Sequence, residues 1–121
     1  MEYSSITIDT KRNRIRFYKT LLKSLGNPQY IQIMVNELEK IFLVLPTQTG
    51  KGNIKINSHL SKDNCYEIHS KPFIEKLCNM MNWVDSCSYR IESNLENAPN
   101  KVAFHLKNAV KLNLEGLEEN E

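Results

Sequence analysis

No apolar run in these 121 residues approaches the roughly 20 that cross a bilayer as a helix, so no membrane-spanning helix is expected. Met1 to Ser5 has neither the basic start nor the apolar stretch of a secretion signal, and the chain is read as cytoplasmic. The three cysteines, Cys65, Cys78 and Cys87, are odd in number and 13 and 9 positions apart, which fits no zinc or redox spacing. Reduced thiols are expected. Catalytic constellations are missing as well: no Ser/His/Asp or Cys/His arrangement stands out, and no carboxylate pair has a spacing that suggests acid/base work. Gly50-Lys51-Gly52 lacks the rest of a phosphate-binding loop and reads as linker. His59, Cys65 and His69 match no common metal site. The expectation is a protein without enzymatic activity, metal or cofactor.

What is present is an ordinary globular composition, 40% hydrophobic and 25% charged. A chain of this size buries roughly two thirds of its unfolded surface, enough for one shared core and too little for two independent ones. One domain over 1–121 is therefore expected. Ile6-Thr7-Ile8-Asp9 and Arg14-Ile15-Arg16-Phe17 alternate as half-buried strands do. Tyr18, Leu21, Leu22 and Leu25 then fall on one helical stripe, stopped by Gly26 and Pro28. Tyr30 to Val35 and Ile41 to Leu45 are rich in β-branched and aromatic residues, with a hairpin-sized connection between them. After a linker at 47–53 the order recurs: Ile54-Lys55-Ile56, Cys65 to Ile68, a helix through Phe73, Ile74, Leu77, Met80 and Met81, then Ser88 to Glu92 and Lys101 to Leu106. Ser70 is placed to cap that helix and Pro72 to sit in its first turn. The helical stripes of the two copies coincide at an offset of 52, although residue identity between the copies is low. The fold class is α+β, mainly β: two strand-strand-helix-strand-strand repeats at 4–46 and 54–108, followed by an acidic tail at 109–121.

The first repeat, with Ile6 to Asp9, Arg14 to Lys19 and Leu21-Leu22-Lys23-Ser24-Leu25-Gly26, resembles the AbrB/MazE/SpoVT swapped-hairpin family over about Ile6 to Pro46. In that family two units from two chains exchange hairpins into one β-barrel that binds DNA, as a bacterial or phage regulator or as an antitoxin. The resemblance implies that the second repeat here is the partner carried in the same chain, making a monomeric pseudo-dimer, with a homodimer as the other possibility. It places Arg14 on the basic residue after the family's first turn, Lys19 on its lysine and Lys23 on one of two helix arginines. Leu22 replaces the other arginine, Tyr18 stands at the proline position, and the turn glycine is missing between Asp9 and Arg14.

Charge is divided unequally between the repeats. Residues 1–60 carry a net +5 and residues 61–121 a net −3, and six of the basic residues lie between Lys11 and Lys23 with no acid among them. The set Lys11, Arg12, Arg14, Arg16, Lys19 and Lys23 is the candidate surface for nucleic acid or another anionic partner, since such clusters grip phosphates and arginine also reads guanine edges. A solvated strand whose charges protect a sheet edge accounts for the same pattern. The second helix keeps only Lys71 and Lys76, beside Glu75. Reading a symmetric operator requires equivalent contacts from both halves. Two functions are therefore expected as alternatives: an AbrB-like DNA-binding regulator, or a protein-interaction module of the antitoxin or mobile-element accessory kind. The first requires Arg14 and Arg16 to be free, not directed into the barrel or paired with Asp9 and Glu92. Tyr66, Trp83 and Tyr89 are read as core or interface aromatics rather than base-stacking platforms.

Overall fold

A computed structural model describes residues 3–51, 53–56, 65–84 and 86–112. The first repeat contains strands β1 (Tyr3–Asp9) and β2 (Arg14–Tyr18), helix α1 (Lys19–Ser24), and strands β3 (Tyr30–Asn36) and β4 (Ile41–Thr47). The second contains β5 (Ile54–Lys55), β6 (Cys65–His69), α2 (Lys71–Met81), β7 (Ser88–Asn94) and β8 (Val102–His105), followed by a 3-10 turn at Leu106–Asn108 and β9 (Val110–Leu112). Both predicted repeats therefore carry the expected order of elements. The segment expected to be a tail departs from expectation at its start, because residues 110–112 pair with the beginning of β7; the remainder, 113–121, lies outside the described residues.

Local chemistry fixes the joints. The β1–β2 turn has no glycine, and Asn13 takes the left-handed conformation instead (φ 53°), which asparagine tolerates better than most side chains. Helix α1 ends where Gly26 turns left-handed (φ 84°); the Gly26 and Asn27 amides donate to the Lys23 and Leu22 carbonyls, satisfying groups the last turn leaves open. The Ser70 hydroxyl accepts the Phe73 amide at 3.4 Å, and Asn82 closes α2 in the left-handed region.

All strand pairs are antiparallel, in two sheets of order β6-β2-β1-β7-β9 and β5-β3-β4-β8. The pairings between repeats obey an internal exchange. Swapping β1 with β5, β2 with β6, β3 with β7 and β4 with β8 converts the β1–β7 pair into β5–β3, with Ile6 opposite Ile91 in one and Ile54 opposite Ile31 in the other. It converts β2–β6 and β4–β8 into themselves, with Arg16 opposite Glu67 and Phe42 opposite Phe104. No closed barrel forms among the described residues, because β5 and β6 make no ladder, nor do β7 and β8. One side chain crosses each of these seams: the Tyr66 hydroxyl donates to the Lys55 carbonyl at 2.8 Å, and the Ser93 hydroxyl to the Ala103 carbonyl at 2.5 Å.

The core lies between the sheets and draws on both repeats: Ile6, Ile8, Ile15, Phe17, Leu21, Ile31, Phe42 and Val44 from the first, Ile74, Leu77, Ile91, Val102, Phe104 and Leu106 from the second. Phe42 is its hinge point, with ring centroids 6.1 to 6.4 Å from those of Phe17, Phe73 and Phe104. Burying a side chain of this kind contributes about 1.5–3 kcal/mol. Neither repeat could keep that contribution alone.

Candidate binding surfaces

Strand alternation sends Ile15 and Phe17 into the core and leaves Arg14 and Arg16 on the outer face of the first sheet. That face also carries Asp9 and Thr7 of the central strand β1 and Glu67 and His69 of β6. Asp9 organises it. One carboxylate oxygen accepts the Lys11 and Arg12 amides, each at 3.1 Å, which holds the β1–β2 turn. The other accepts from Arg12 Nη1 at 3.2 Å and from Arg14 Nε at 3.1 Å. The Asp9 side chain is only 4% exposed. Burial alone would raise its pKa, but the Arg12 amide and guanidinium and the charge of Arg14 together hold it below the ordinary carboxylate value.

Glu67 completes the network from the second repeat. Its Oε2 lies 3.0 Å from Arg14 Nη1 and 3.0 Å from Arg16 Nε, and its Oε1 lies 3.7 Å from His69 Nε2. The Arg14 and Arg16 side chains are 21% and 19% exposed. The structure therefore divides the six candidate cations. Arg14 is engaged by Asp9 and Glu67, and Arg16 by Glu67. Arg12 is tethered to Asp9 yet more than half exposed, and Lys11, Lys19 and Lys23 are exposed. Glu67 was missed as a site residue because its partners lie some 50 positions away on another strand. The sequence signal available was its place on the polar face of a strand matching β2.

A second surface was also missed. In the second sheet Ile31, Ile33, Val35, Phe42, Val44, Val102 and Phe104 face or pack on the core. The opposite face carries Met34, Leu43 and Ala103 side by side in one row, with Ile41 and Leu45 on either side of Leu43 along β4. None of these five belongs to the core cluster. Met34 is exposed, and Leu38 at the β3–β4 turn is 90% exposed between Glu37 and Glu39. An antiparallel sheet with one solvated face normally makes that face polar. The sequence signal was the unbroken apolar run Ile41 to Leu45, which offers apolar side chains to both sides of a strand.

The remaining candidates have structural settings. Trp83 stacks on Tyr89 with centroids 4.3 Å apart, and the Tyr89 hydroxyl accepts the Val84 amide at 3.0 Å; burial raises the Tyr89 pKa. Tyr66 packs against the core. The backbone at Gly50 passes so close to the Tyr30 ring that a Cβ there would lie 2.8 Å from it. Among the described residues no three His, Cys, Asp or Glu side chains gather as a metal site would require; His59 and Gly52 lie outside them. Among those residues also, no helix is long and apolar enough to cross a membrane. Set against protein-family models, curated proteins and solved structures, the chain matches none, so the two surfaces rest on their own geometry.

Proposed function

We propose that the chain is a non-enzymatic protein-binding module built as a single-chain swapped-hairpin pseudo-dimer, with the outer face of the β5-β3-β4-β8 sheet as its binding surface. The exchange symmetry of the strand pairs supports the architecture: six of the eight neighbour pairs of an eight-strand ring are hydrogen-bonded, and the two unmade ones are each crossed by a side chain. Arg16 and Glu67 support closure within one chain. In a barrel of two identical units the residue at that position meets its own copy, and two arginines directly opposite each other repel. Here the second repeat supplies a carboxylate at 3.0 Å.

The observation that carries the protein-binding reading is the apolar row of Met34, Leu43 and Ala103, flanked by Ile41 and Leu45, none of which belongs to the core among the described residues. Met34 is exposed and the other four are half-buried, and apolar side chains gathered on an outward face in this way mark interaction sites. DNA binding remains the second reading, favoured by exposed Lys11, Arg12, Lys19 and Lys23. It has lost the two arginines best placed for base contacts to internal ion pairs. Affinity capture with the full chain and a Leu43→Lys variant in parallel, alongside a gel-shift titration on duplex DNA, separates the two. A stoichiometric protein retained by the parent and lost by the variant supports the module. A discrete, salt-dependent DNA complex abolished by replacing Lys11, Arg12, Lys19 and Lys23 with Ala, with no protein captured, overturns it.

A further inference from the structure

The exchange that relates the two repeats fails at one corner of the molecule, where a filled space in the second repeat is matched by an open one in the first. The Ile8–Tyr89 pair of β1 and β7 has its counterpart in Ile56 and Gln29, the Ile56 amide donating to the Gln29 carbonyl at 2.7 Å just beyond the β5–β3 ladder. Gln29 therefore stands where the second repeat has Tyr89. On the neighbouring elements, Thr47 opposite Tyr30 matches Val110 opposite Arg90, and Leu25 after α1 matches Leu77 of α2 on the helical stripe. In the second repeat this corner is closed by the Trp83 ring stacked on that of Tyr89, 4.3 Å between centroids, and Tyr89 is buried. The first repeat has no aromatic residue from Thr20 through Gln29 to put there.

Leu25, Gln29 and Thr47 instead line an open hollow of about 620 Å³, with Gly26, Pro28 and Pro46 among others. A Cβ at Gly26 would meet nothing within 4 Å. Gln29 falls on the side of Ile31 by strand alternation, and Pro46 lies opposite Ile31, so the hollow belongs to the inward side of the second sheet and not to the face of Met34 and Leu43. Leu25, the most buried of the lining residues, is part of the core.

We propose that this hollow receives one aromatic side chain, an indole or a phenol, from a protein partner, filling from outside the space that Trp83 and Tyr89 fill from within in the second repeat. The size suits it, since hollows of about 300–1,000 Å³ take small organic groups. So does the chemistry. Leu25, Pro28 and Pro46 give apolar walls, and the two proline rings are rigid and lose little freedom on binding. Gln29 and Gln48 are exposed and offer amides to an indole N–H or a phenol O–H, as the Val84 amide meets the Tyr89 hydroxyl in the second repeat. Among the described residues none that lines the hollow is charged, which favours a neutral ring over a nucleotide with its phosphates. Buried aromatic anchors of this kind carry much of the binding energy at protein interfaces. The hollow is separate from the outer face of the second sheet, so its test stands whether or not that face binds a protein.

Titration of the isotope-labelled full chain with N-acetyl-tryptophan amide, followed by backbone amide chemical shifts, tests the site. Saturable shifts at Leu25, Gly26, Gln29 and Thr47 are expected, with a dissociation constant on the order of 1 mM for so small a ligand. N-acetyl-leucine amide, which lacks the ring, should bind about tenfold more weakly. Gln29→Tyr supplies the ring that the second repeat carries and should weaken binding of the tryptophan amide by about tenfold or more, whereas Gln29→Ala should keep it within about threefold. Both variants change an exposed side chain, so their circular dichroism should stay that of the parent. The absence of shifts at these residues, equal binding of the leucine amide, a Gln29→Tyr variant that binds as the parent does, or equal loss in Gln29→Ala overturns the proposal. Adenosine bound more tightly than the tryptophan amide overturns the protein side chain as occupant in favour of a nucleobase.

Discussion

Arg16 of β2 and Glu67 of β6 stand directly opposite each other at the centre of one of the strand pairs that join the two repeats, 3.0 Å apart. The same Glu67 oxygen also lies 3.0 Å from Arg14, so a single carboxylate from the acidic repeat holds two arginines of the basic one. The unequal charge of the repeats thus has an internal use: a carboxylate of the second repeat meets guanidinium groups of the first.

Glu67→Gln should lower unfolding stability by about 1–3 kcal/mol, because it removes a carboxylate charge that two mostly covered guanidinium groups share. Urea unfolding of Glu67→Gln, Arg16→Gln and the double variant should give a coupling energy of about 1 kcal/mol. Additive single effects would show that the pairing contributes nothing beyond its separate parts.

Asp9 should set the acid limit of stability. Its folded pKa lies below the unfolded value of about 3.9, so its contribution is fully present above that pH and is lost as pH falls from there through the folded value. Asp9→Asn should cost about 2–4 kcal/mol at neutral pH, since it removes a buried charge that two arginines and a turn depend on. Urea midpoints measured from pH 6 to pH 2 should fall more steeply in the parent than in Asp9→Asn.

Tyr89 should set part of the alkaline limit. Burial raises its folded pKa above the unfolded value of about 10, so the neutral phenol's contribution is complete below that pH and declines as pH rises through the folded value. Tyr89→Phe removes the acceptor of the Val84 amide and should cost about 1 kcal/mol at pH 7. The variant should also lose less stability than the parent between pH 9 and pH 11.

Asn13 stands in for a turn glycine. Because its φ is 53°, Asn13→Gly should be neutral to within about 0.5 kcal/mol, whereas Asn13→Ala should cost about 1 kcal/mol. Equal stability of the alanine and glycine variants would show that the turn relaxes out of the left-handed region.

Much of the fold was legible in the sequence. Ile6-Thr7-Ile8, Arg14 to Phe17 and Tyr30 to Val35 announced strands by alternation and β-branching, and the Leu21-Leu22-Leu25 stripe with its Gly26 stop announced a helix. These are local rules, each readable from a few neighbouring residues. Strand β9 was not legible, because Val110-Lys111-Leu112 is too short to show a period and becomes a strand only by pairing with β7.

The sequence by itself determined the order of elements, the two repeats and their unequal charge, since all three follow from residues near one another along the chain. Only the tertiary structure decided what that charge does. Whether Arg16 meets a partner or solvent depends on Glu67, brought opposite it and within reach of Arg14 by strand register across some 50 residues. Likewise, Ile41 to Leu45 is equally apolar on both faces in sequence. Packing against Phe17, Phe73 and Phe104 buried one face around Phe42 and left Leu43 on the other.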